Sequence, residues 1–228
     1  MWAIVPLKTF TEAKRRLAAE LSELERKDLM LAMARDVLTA LSQCRALTGV
    51  LIASRTTEAD ALAQAFSTER FSESPDADLP TTLTQASEYL TRNLGARGIM
   101  VVPADVPMID AAEIDEILAD HDRVTLIPDG ENIGTNALIA SPPDSIPFIF
   151  DGRSFKPHLD AAIAAGITPA IVTSSRFALD IDTADDLRAL LAQAPDTQTG
   201  TFLVKSGIAQ RLEASDNARP DGEQDSTG

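Results

Sequence analysis

Short apolar runs alternate with helix-like stretches through most of the sequence, and this alternation constrains the fold more than any other feature. The runs WAIVP (2–6), GVLIAS (49–54), GIMVVPA (98–104) and RVTLIP (123–128) have the length and β-branched content of buried strands. Strands separated by helices predict a largely parallel sheet with helices on both faces. Because ligands bind such sheets at the carboxyl ends of the strands, the residues after each run are where chemistry is expected.

A strong helix is predicted between the first two strands. Ser22 and Glu25 form a capping-box pattern, and apolar side chains recur at helical spacing from Met30 to Leu41. This apolar stripe is expected to join the core. The same patterning predicts further helices near residues 58–65, 82–94, 111–119, 154–165 and 183–192, which makes the fold class α/β.

The composition narrows the class of protein. The chain has 35 acidic and 20 basic residues, a formal charge of −15, which argues against non-specific binding to nucleic acid. An acidic protein that binds nucleotides must concentrate positive charge locally or use metal ions. The single cysteine, Cys44, excludes an intrachain disulfide and a cysteine-rich zinc site. With neither a signal-peptide pattern nor a bilayer-spanning run, we expect a cytoplasmic protein without membrane or nucleic-acid partners.

The densest basic segment directly follows the first predicted strand. LKTFTEAKRRL contains Lys8, Lys14, Arg15 and Arg16. A segment of this kind can fold over a triphosphate; the alternative is an exposed basic loop with a short helix. The sequence contains neither a GxxxxGKS or GxxxxGKT loop nor a GxGxxG fingerprint, which counts against P-loop and Rossmann dehydrogenase proteins.

Three aspartates follow predicted strands. Asp105 lies between two prolines in PADVPMI, where it is either a metal ligand or a turn residue. In ALDIDTADDL, Asp180 and Asp182 are interpreted as strand positions i and i+2 on one face, just before a helix. Two carboxylates this close need a compensating cation, unless Asp182 or Thr183 only caps the helix. The three carboxylates together are expected to bind one or two Mg²⁺ ions.

Two glycine-bearing turns carry hydroxyl and amide groups. The first, DGENIGTNAL, offers backbone N–H groups together with the side chains of Thr135 and Asn136. The second, FDGRSFKPH, leads into a predicted helix whose N-terminus favours an anion, unless Ser154 serves only as the cap of that helix. Arg153 would add positive charge there, and His158 in the second helical turn either packs or supports the site.

Five of these motifs, in this order and at family-like intervals, resemble the phospholactate guanylyltransferase family of coenzyme F420 biosynthesis. That family includes phosphoenolpyruvate and 3-phosphoglycerate guanylyltransferases. The motifs are VPLKTFTEAKRRL, PADVPMI, GTNAL, SFKPH and DIDTADDL, and the resemblance covers roughly residues 3–191. It implies a single-domain nucleotidyltransferase fold of the GT-A-like type, with a mostly parallel sheet flanked by helices.

The resemblance also implies roles for individual residues. Asp105, Asp180 and Asp182 would hold Mg²⁺, with Asp105 and Lys8 as the catalytic residues. The remaining matched positions divide between the two substrates: Lys8, Lys14 and Arg16 would face the phosphates of GTP, and Thr135, Asp151 and Ser154 would hold the phosphorylated acid.

Two positions depart from the family pattern. Family members usually read FGPxSF where this chain has FDGRSF, so that Asp151 places a negative charge beside the expected acid site. They also tend to carry LNxA where this chain reads LTQA, so that Thr84 replaces an asparagine. These departures leave the identity of the acid open, and the preference for guanine follows from the resemblance and not from these residues.

The predicted reaction transfers GMP from GTP to 3-phosphoglycerate, phosphoenolpyruvate or 2-phospholactate with release of pyrophosphate. Two alternatives remain at this stage: a transferase that uses CTP or UTP with a sugar phosphate or molybdopterin, and a catalytically impaired relative that only binds. A homodimer and a downstream transferase of the F420 pathway are the protein partners that the resemblance allows.

The chain is divided into three regions by composition. Residues 1–193 are assigned to the nucleotidyltransferase domain and residues 194–212 to a linker that can add an edge strand at 201–210. Residues 213–228 are polar and are predicted to form a disordered tail.

Overall fold

The computed structural model describes residues 1–7 and 14–217, in which a seven-stranded sheet has helices on both faces. The four strands predicted within residues 1–128 are present, and three further strands were not predicted. The strands are β1 (Trp2–Leu7), β2 (Gly49–Ser54), β3 (Glu69–Ser72), β4 (Ile99–Val101), β5 (Val124–Pro128), β6 (Thr135–Ala140) and β7 (Ala170–Ile171).

The helices follow the predicted positions closely in the first 193 residues. The capping box of the first long helix is confirmed, because Ser22 Oγ accepts from Glu25 N–H and the Glu25 carboxylate accepts from Ser22 N–H. A 3₁₀ turn covers Arg15–Leu17. The α-helices are α1 (Glu23–Gln43), α2 (Thr57–Phe66), α3 (Leu79–Leu94), α4 (Ala111–Ala119), α5 (Phe155–Ala164), α6 (Ser175–Ala178), α7 (Ala184–Gln193), α8 (Gln198–Lys205) and α9 (Ile208–Asn217).

The sheet is mostly parallel, as predicted, with one reversed strand. The strand order is β3-β2-β1-β4-β6-β5-β7, and β6 runs antiparallel to both of its neighbours. Because β6 is reversed, its first residues lie at the edge where β4 and β5 end. Thr135 and Asn136 therefore open a strand at this edge, and the predicted turn at 129–138 is shortened to the residues before Thr135.

The two faces of the sheet bury different side chains. Along β6, Ala137 and Ile139 join a core cluster with α1, α2, α4, α7, α8 and α9, whereas Leu138 and Ala140 join a second cluster with α3 and α5. This alternation is the period of two that a strand imposes. Both faces of the central strands are apolar, so the sheet holds the loops at its carboxyl edge on a rigid base.

The C-terminal segment corrects one prediction. Residues 201–210 were expected to add an edge strand, but they belong to α8, α9 and the turn between them. Thr197 caps α8 by accepting from Gly200 N–H, and the Asp36 carboxylate of α1 accepts from the N–H groups of Gln198 and Thr199. These bonds provide acceptors for the backbone N–H groups in the first turn of α8, which have no partner within the helix. Disorder was predicted from residue 213, but α9 reaches Asn217; residues 218–228 lie outside the described part of the chain.

None of the helices in residues 1–7 and 14–217 is both long enough and apolar enough to cross a membrane.

Candidate active site

A cleft of about 910 Å³ opens at the edge of the sheet where β4 and β5 end and β6 begins. The structure brings several of the predicted site residues to its walls, and Lys14 contacts two of them directly. Lys8, predicted to be catalytic and to face the nucleotide, lies outside the described residues. The predicted residues that line the cleft are Arg16, Asp105, Thr135, Ser154, Asp180 and Asp182.

The ammonium of Lys14 joins two of the predicted metal ligands. Its Nζ lies 2.7 Å from Asp105 Oδ2 and 2.7 Å from Asp182 Oδ1, and only 6% of the side chain is exposed. Burial lowers the pKa of Lys14, but the charges of Asp105 and Asp182 outweigh burial and leave that pKa above its ordinary value. Lys14 is therefore charged and held between two carboxylates, on a backbone with a φ of +56° that non-glycine residues rarely adopt.

Asp182 is the more exposed of the two carboxylates that Lys14 joins. Burial raises its pKa, but the Lys14 charge and hydrogen bond, with a further contribution from Arg16, bring the pKa below its ordinary value. Arg16 Nη1 lies 3.5 Å from Asp182 Oδ2, and 76% of the Arg16 side chain is exposed. Arg16 can therefore turn toward a ligand in the cleft without breaking a buried contact.

Within residues 1–7 and 14–217, the carboxylate of Asp180 is held by a neighbouring amide. Asn136 Nδ2 donates to Asp180 Oδ1 at 3.2 Å and to the Phe177 carbonyl at 2.7 Å. Burial raises the pKa of Asp180, and the negative charges of Asp105 and Asp182 raise it further. Asn136 fixes the carboxylate in position, while burial and the two neighbouring carboxylates disfavour its negative charge.

The sequence left open whether Asp182 or Thr183 caps α7, and the structure assigns the cap to Thr183. Thr183 is the cap: its Oγ1 accepts from Asp186 N–H, and the Asp186 carboxylate accepts from Thr183 N–H and Asp182 N–H. The Asp182 carboxylate is thereby left for Lys14 and Arg16. The segment before α7 is extended but is not a strand of the sheet; the Ile181 N–H donates to the Asp105 carbonyl and ties the two aspartate segments together.

The opposite end of the cleft is built from hydroxyl groups. Ser154 Oγ accepts from Thr135 N–H at 3.0 Å and makes no capping bond to α5, although Ser154 occupies the N-cap position. The Thr135 hydroxyl lies 3.0 Å from His158 Nδ1, and His158 Nε2 accepts from the Ile149 N–H at 2.9 Å. All three side chains are buried, with His158 at 0% exposure.

A loop anchored by Asp129 forms the wall between β5 and β6. One oxygen of Asp129 accepts from Glu131 N–H and Ile133 N–H, and the other accepts from Gly134 N–H at 2.6 Å. A Cβ on Gly134 would come within 2.8 Å of that second oxygen, so glycine permits the close approach. The loop delivers Thr135 to the cleft in a defined position.

Comparisons with known proteins identify the family of this chain. The family model described as guanylyl transferase CofC like matches residues 1–222. The chain belongs to the CofC-like guanylyltransferase family. It is therefore a nucleotidyltransferase enzyme, as the sequence motifs predicted.

Named relatives of this guanylyltransferase span almost its whole length. The phosphoenolpyruvate guanylyltransferase of Conexibacter woesei is 34% identical over 215 residues, which cover 92% of this chain and 96% of the relative. The 2-phospho-L-lactate guanylyltransferase of Methanothermobacter thermautotrophicus is 30% identical over 204 residues, covering 89% of each chain.

Solved structures place the guanylyltransferase in the predicted nucleotidyltransferase fold. A nucleotidyl transferase from Methanothermobacter thermautotrophicus superposes with a TM-score of 0.63 at 18% identity, covering 90% of this chain and 98% of the other. The CMP:2-keto-3-deoxy-manno-octonic acid synthetase superposes with a TM-score of 0.54 at 14% identity, covering 84% and 98%. At these identities the likeness shows the fold alone.

The two departures from the family pattern lie away from the main cleft of this guanylyltransferase. Asp151 is exposed, accepts from Arg153 N–H in a local turn, and lines a neighbouring cleft of about 400 Å³. Asp151 is not among the residues that line the main cleft, although its neighbours Phe150 and Gly152 are. Thr84 is exposed on α3, where its hydroxyl donates to the Pro80 carbonyl.

Sequence reasoning named Asn136 only as a polar group of the turn, and it left open whether His158 packs or supports the site. Asn136 fixes Asp180, and His158 contacts Thr135, so each acts on a predicted site residue. A signal for Asn136 was present, because a polar pair opening an apolar run at a strand end is unusual. No comparable signal exists for His158, whose partners lie 9 and 23 residues away in the sequence.

The charged end of the cleft, formed by Arg16, Asp105, Asp180 and Asp182 with the buried Lys14, has ligand types that suit Mg²⁺. Carboxylate oxygens are the donors that Mg²⁺ prefers, and the raised pKa of Asp180 indicates negative charge that a cation would compensate. Within residues 1–7 and 14–217, however, no three acidic, histidine or cysteine groups are arranged to hold a metal ion. The Lys14 ammonium is the cation that joins Asp105 and Asp182, so the ligand types fit but the present arrangement is that of an ion-pair bridge.

Proposed function

We propose that this guanylyltransferase transfers GMP from GTP to a phosphorylated three-carbon acid with release of pyrophosphate, in coenzyme F420 biosynthesis. The observation that carries the proposal is the polarity of the cleft. One end presents Arg16 and the carboxylates that the buried Lys14 joins, and the other presents the hydroxyls of Thr135 and Ser154. The named relatives act on phosphoenolpyruvate and 2-phospho-L-lactate, so we expect one of these acids to be the acceptor, with 3-phosphoglycerate as the third candidate.

The chemistry asks little of the protein beyond positioning and charge. A phosphate oxygen of the acid attacks the α-phosphorus of GTP, the bond from that phosphorus to the bridging oxygen breaks, and pyrophosphate leaves with the electron pair. The nucleophile is already an anion, so no strong base is needed. This agrees with the side chains that line the described cleft, which include no histidine or cysteine.

Each end of the cleft has its own task in this proposal. Lys14 and Arg16 face the triphosphate, and the hydroxyls of Thr135 and Ser154 hold the acid. Asp105, Asp180 and Asp182 would hold Mg²⁺, which when bound supplies positive charge to neutralise the nucleotide phosphates.

The test is pyrophosphate release from GTP with each acid separately, repeated with ATP, CTP and UTP. We expect release with GTP and one acid, and none with GTP alone. Phosphorus NMR of the product should show a new phosphoanhydride resonance between the nucleotide and the acid. Release with CTP or UTP and a sugar phosphate would contradict the proposal. Silence with all acids, while GTP still raises the melting temperature, would show binding without transfer and would also contradict it.

A further inference from the structure

His158 is buried beside the hydroxyl end of the cleft but does not line it. Its two ring nitrogens have different partners. The backbone N–H of Ile149 lies 2.9 Å from Nε2 and can only donate, so Nε2 must be the nitrogen without a hydrogen. A neutral imidazole has one N–H, which must then be on Nδ1.

The assignment at Nε2 fixes the direction of the next hydrogen bond. His158 Nδ1–H donates to the Thr135 hydroxyl oxygen over 3.0 Å. A hydroxyl that accepts this bond keeps its own hydrogen for another acceptor. Thr135 lines the cleft at 5% exposure, so that hydrogen is available to a ligand there.

Ser154 is polarised in the same way by a different donor. The Thr135 N–H donates to Ser154 Oγ at 3.0 Å, which leaves the Ser154 hydroxyl hydrogen for another acceptor. Both hydroxyls are therefore donors toward the cleft before any ligand arrives. A backbone group sets the polarity at Ser154, whereas an ionisable side chain sets it at Thr135.

We infer that His158 is a positioning residue that holds the Thr135 hydroxyl as a hydrogen-bond donor, so that this end of the cleft selects an acceptor group such as a carboxylate or phosphate oxygen. The inference rests on the proposed function for the identity of the ligand, but the tautomer of His158 does not depend on it. Phe150 packs edge-on against the imidazole at 4.9 Å between ring centroids, which keeps water from the ring.

The neutral state of His158 is secure at physiological pH. Burial lowers the pKa of His158 to about 4, against the opposing influence of the Asp151 carboxylate. A protonated ring would turn an N–H toward the Ile149 N–H and lose that bond.

The first experiment reads the tautomer directly, without any substrate. Long-range proton–nitrogen correlation NMR distinguishes the two neutral tautomers and the imidazolium. The chain has two histidines, so a His121→Gln variant assigns the signals. We expect His158 at pH 7 to be neutral with its hydrogen on Nδ1. A hydrogen on Nε2, or an imidazolium, would overturn the inference.

The second experiment uses two substitutions that each keep half of the histidine. In His158→Asn the side-chain amide reproduces the Nδ1–H donor, whereas in His158→Gln it reproduces the acceptor at Nε2. We expect the KM for the acid to rise roughly 10- to 100-fold in His158→Gln, as for a lost bond to a charged group, and only a few-fold in His158→Asn. The KM for GTP should stay near the wild-type value in both.

A double-mutant cycle separates positioning from packing. In a Thr135→Val background the donor has no oxygen to act on, so His158→Gln should not raise the KM for the acid further. Equal KM values in the Asn and Gln variants, or additive effects in the cycle, would show a structural role only and overturn the inference. If wild-type protein accepts no acid at all, the proposed function fails while the NMR result still decides the tautomer.

Discussion

The two ends of the cleft are held in different ways. At the charged end, Asp182 and Arg16 have side chains that are 41% and 76% exposed, and one ammonium balances two carboxylates. At the hydroxyl end, Ser154 is 2% exposed and His158 is fully buried in a chain of bonds with one direction. Exposed charges can exchange partners when a new cation arrives, whereas a buried directional chain is fixed before binding. With the substrates assigned to the two ends as proposed, we expect the enzyme to adapt to its nucleotide and to select its acid by a rigid site.

The largest expected effect comes from removing charge at the adaptable end. Asp180→Asn and Asp182→Asn keep the shape of the side chain and remove the negative charge. We expect turnover to fall on the order of 1,000-fold in each, because the carboxylates are proposed to hold the cation that neutralises the phosphates. Steady-state pyrophosphate release at saturating GTP and acid measures this.

Asp160→Asn is a suitable control for that loss. Asp160 pairs with Lys156 on the exposed face of α5, so its substitution should leave turnover near wild type. Near-normal activity of Asp180→Asn or Asp182→Asn with Mg²⁺ would refute the metal assignment.

The rigid end should reveal itself through the pH dependence of stability. The pKa of His158 is about 4 in the folded protein and about 6.5 in the unfolded chain, so the unfolded state binds the extra proton first. Stability is full above pH 6.5 and is lost as the pH falls toward 4. Between pH 7 and 4.5 this single group should remove about 2.5 kcal/mol of unfolding free energy.

Denaturant unfolding of wild type and His158→Asn at both pH values isolates that contribution. The wild-type loss should exceed the loss in the variant by about 2.5 kcal/mol. His121→Asn serves as a comparison, because His121 is only half-buried and should contribute less. Identical pH dependence in wild type and His158→Asn would contradict the burial of a neutral imidazole.

Lys14→Met tests how far the charged end depends on its ammonium. Without Lys14, Asp105 and Asp182 face each other with only the exposed Arg16, among the described residues, beside Asp182, and we expect a loss of about 3 kcal/mol of unfolding free energy. MgCl₂ should raise the melting temperature of the variant more than that of wild type. The control is Lys27→Met, which removes a partly exposed ion pair with Glu58 and should change the stability much less than Lys14→Met does. Equal responses to MgCl₂ would show that the cation does not enter between these carboxylates.

The sequence predicted those parts of the molecule whose cause is local. The strands β1, β2, β4 and β5 and the helices α1 to α5 and α7 follow from apolar periodicity and caps. β6 was missed because it is buried on both faces, so it lacks alternation, and because its first two residues are polar. The C-terminal strand was wrong for a related reason. TFLV has strand-like residues, but the helix is fixed by Asp36, which accepts from the Gln198 N–H and lies 162 residues before it in the sequence.

The same distinction applies to the site. Asp105, Asp180 and Asp182 were predicted as site residues because they follow apolar runs or alternate with apolar residues. The Lys14 bridge was not predicted, since Lys14 lies 91 positions from Asp105 and 168 positions from Asp182 in the sequence. Its formation depends on the sheet bringing those loops to one edge, and sequence patterns carry no information on such pairs without the topology.

The smallest expected effect separates the cap of α7 from the ligand beside it. In Thr183→Ala the bond from Asp186 N–H is lost, which should cost about 1 kcal/mol of unfolding free energy. Turnover should change only a few-fold, because the Asp182 carboxylate keeps its bonds to Lys14. Asp182→Asn should show the opposite pattern, with little loss of stability and a large loss of turnover. Urea unfolding and pyrophosphate release measured on both variants decide the matter: if both lose turnover to the same extent, the capping box and the charged end form one unit, and the aspartate has no separate role.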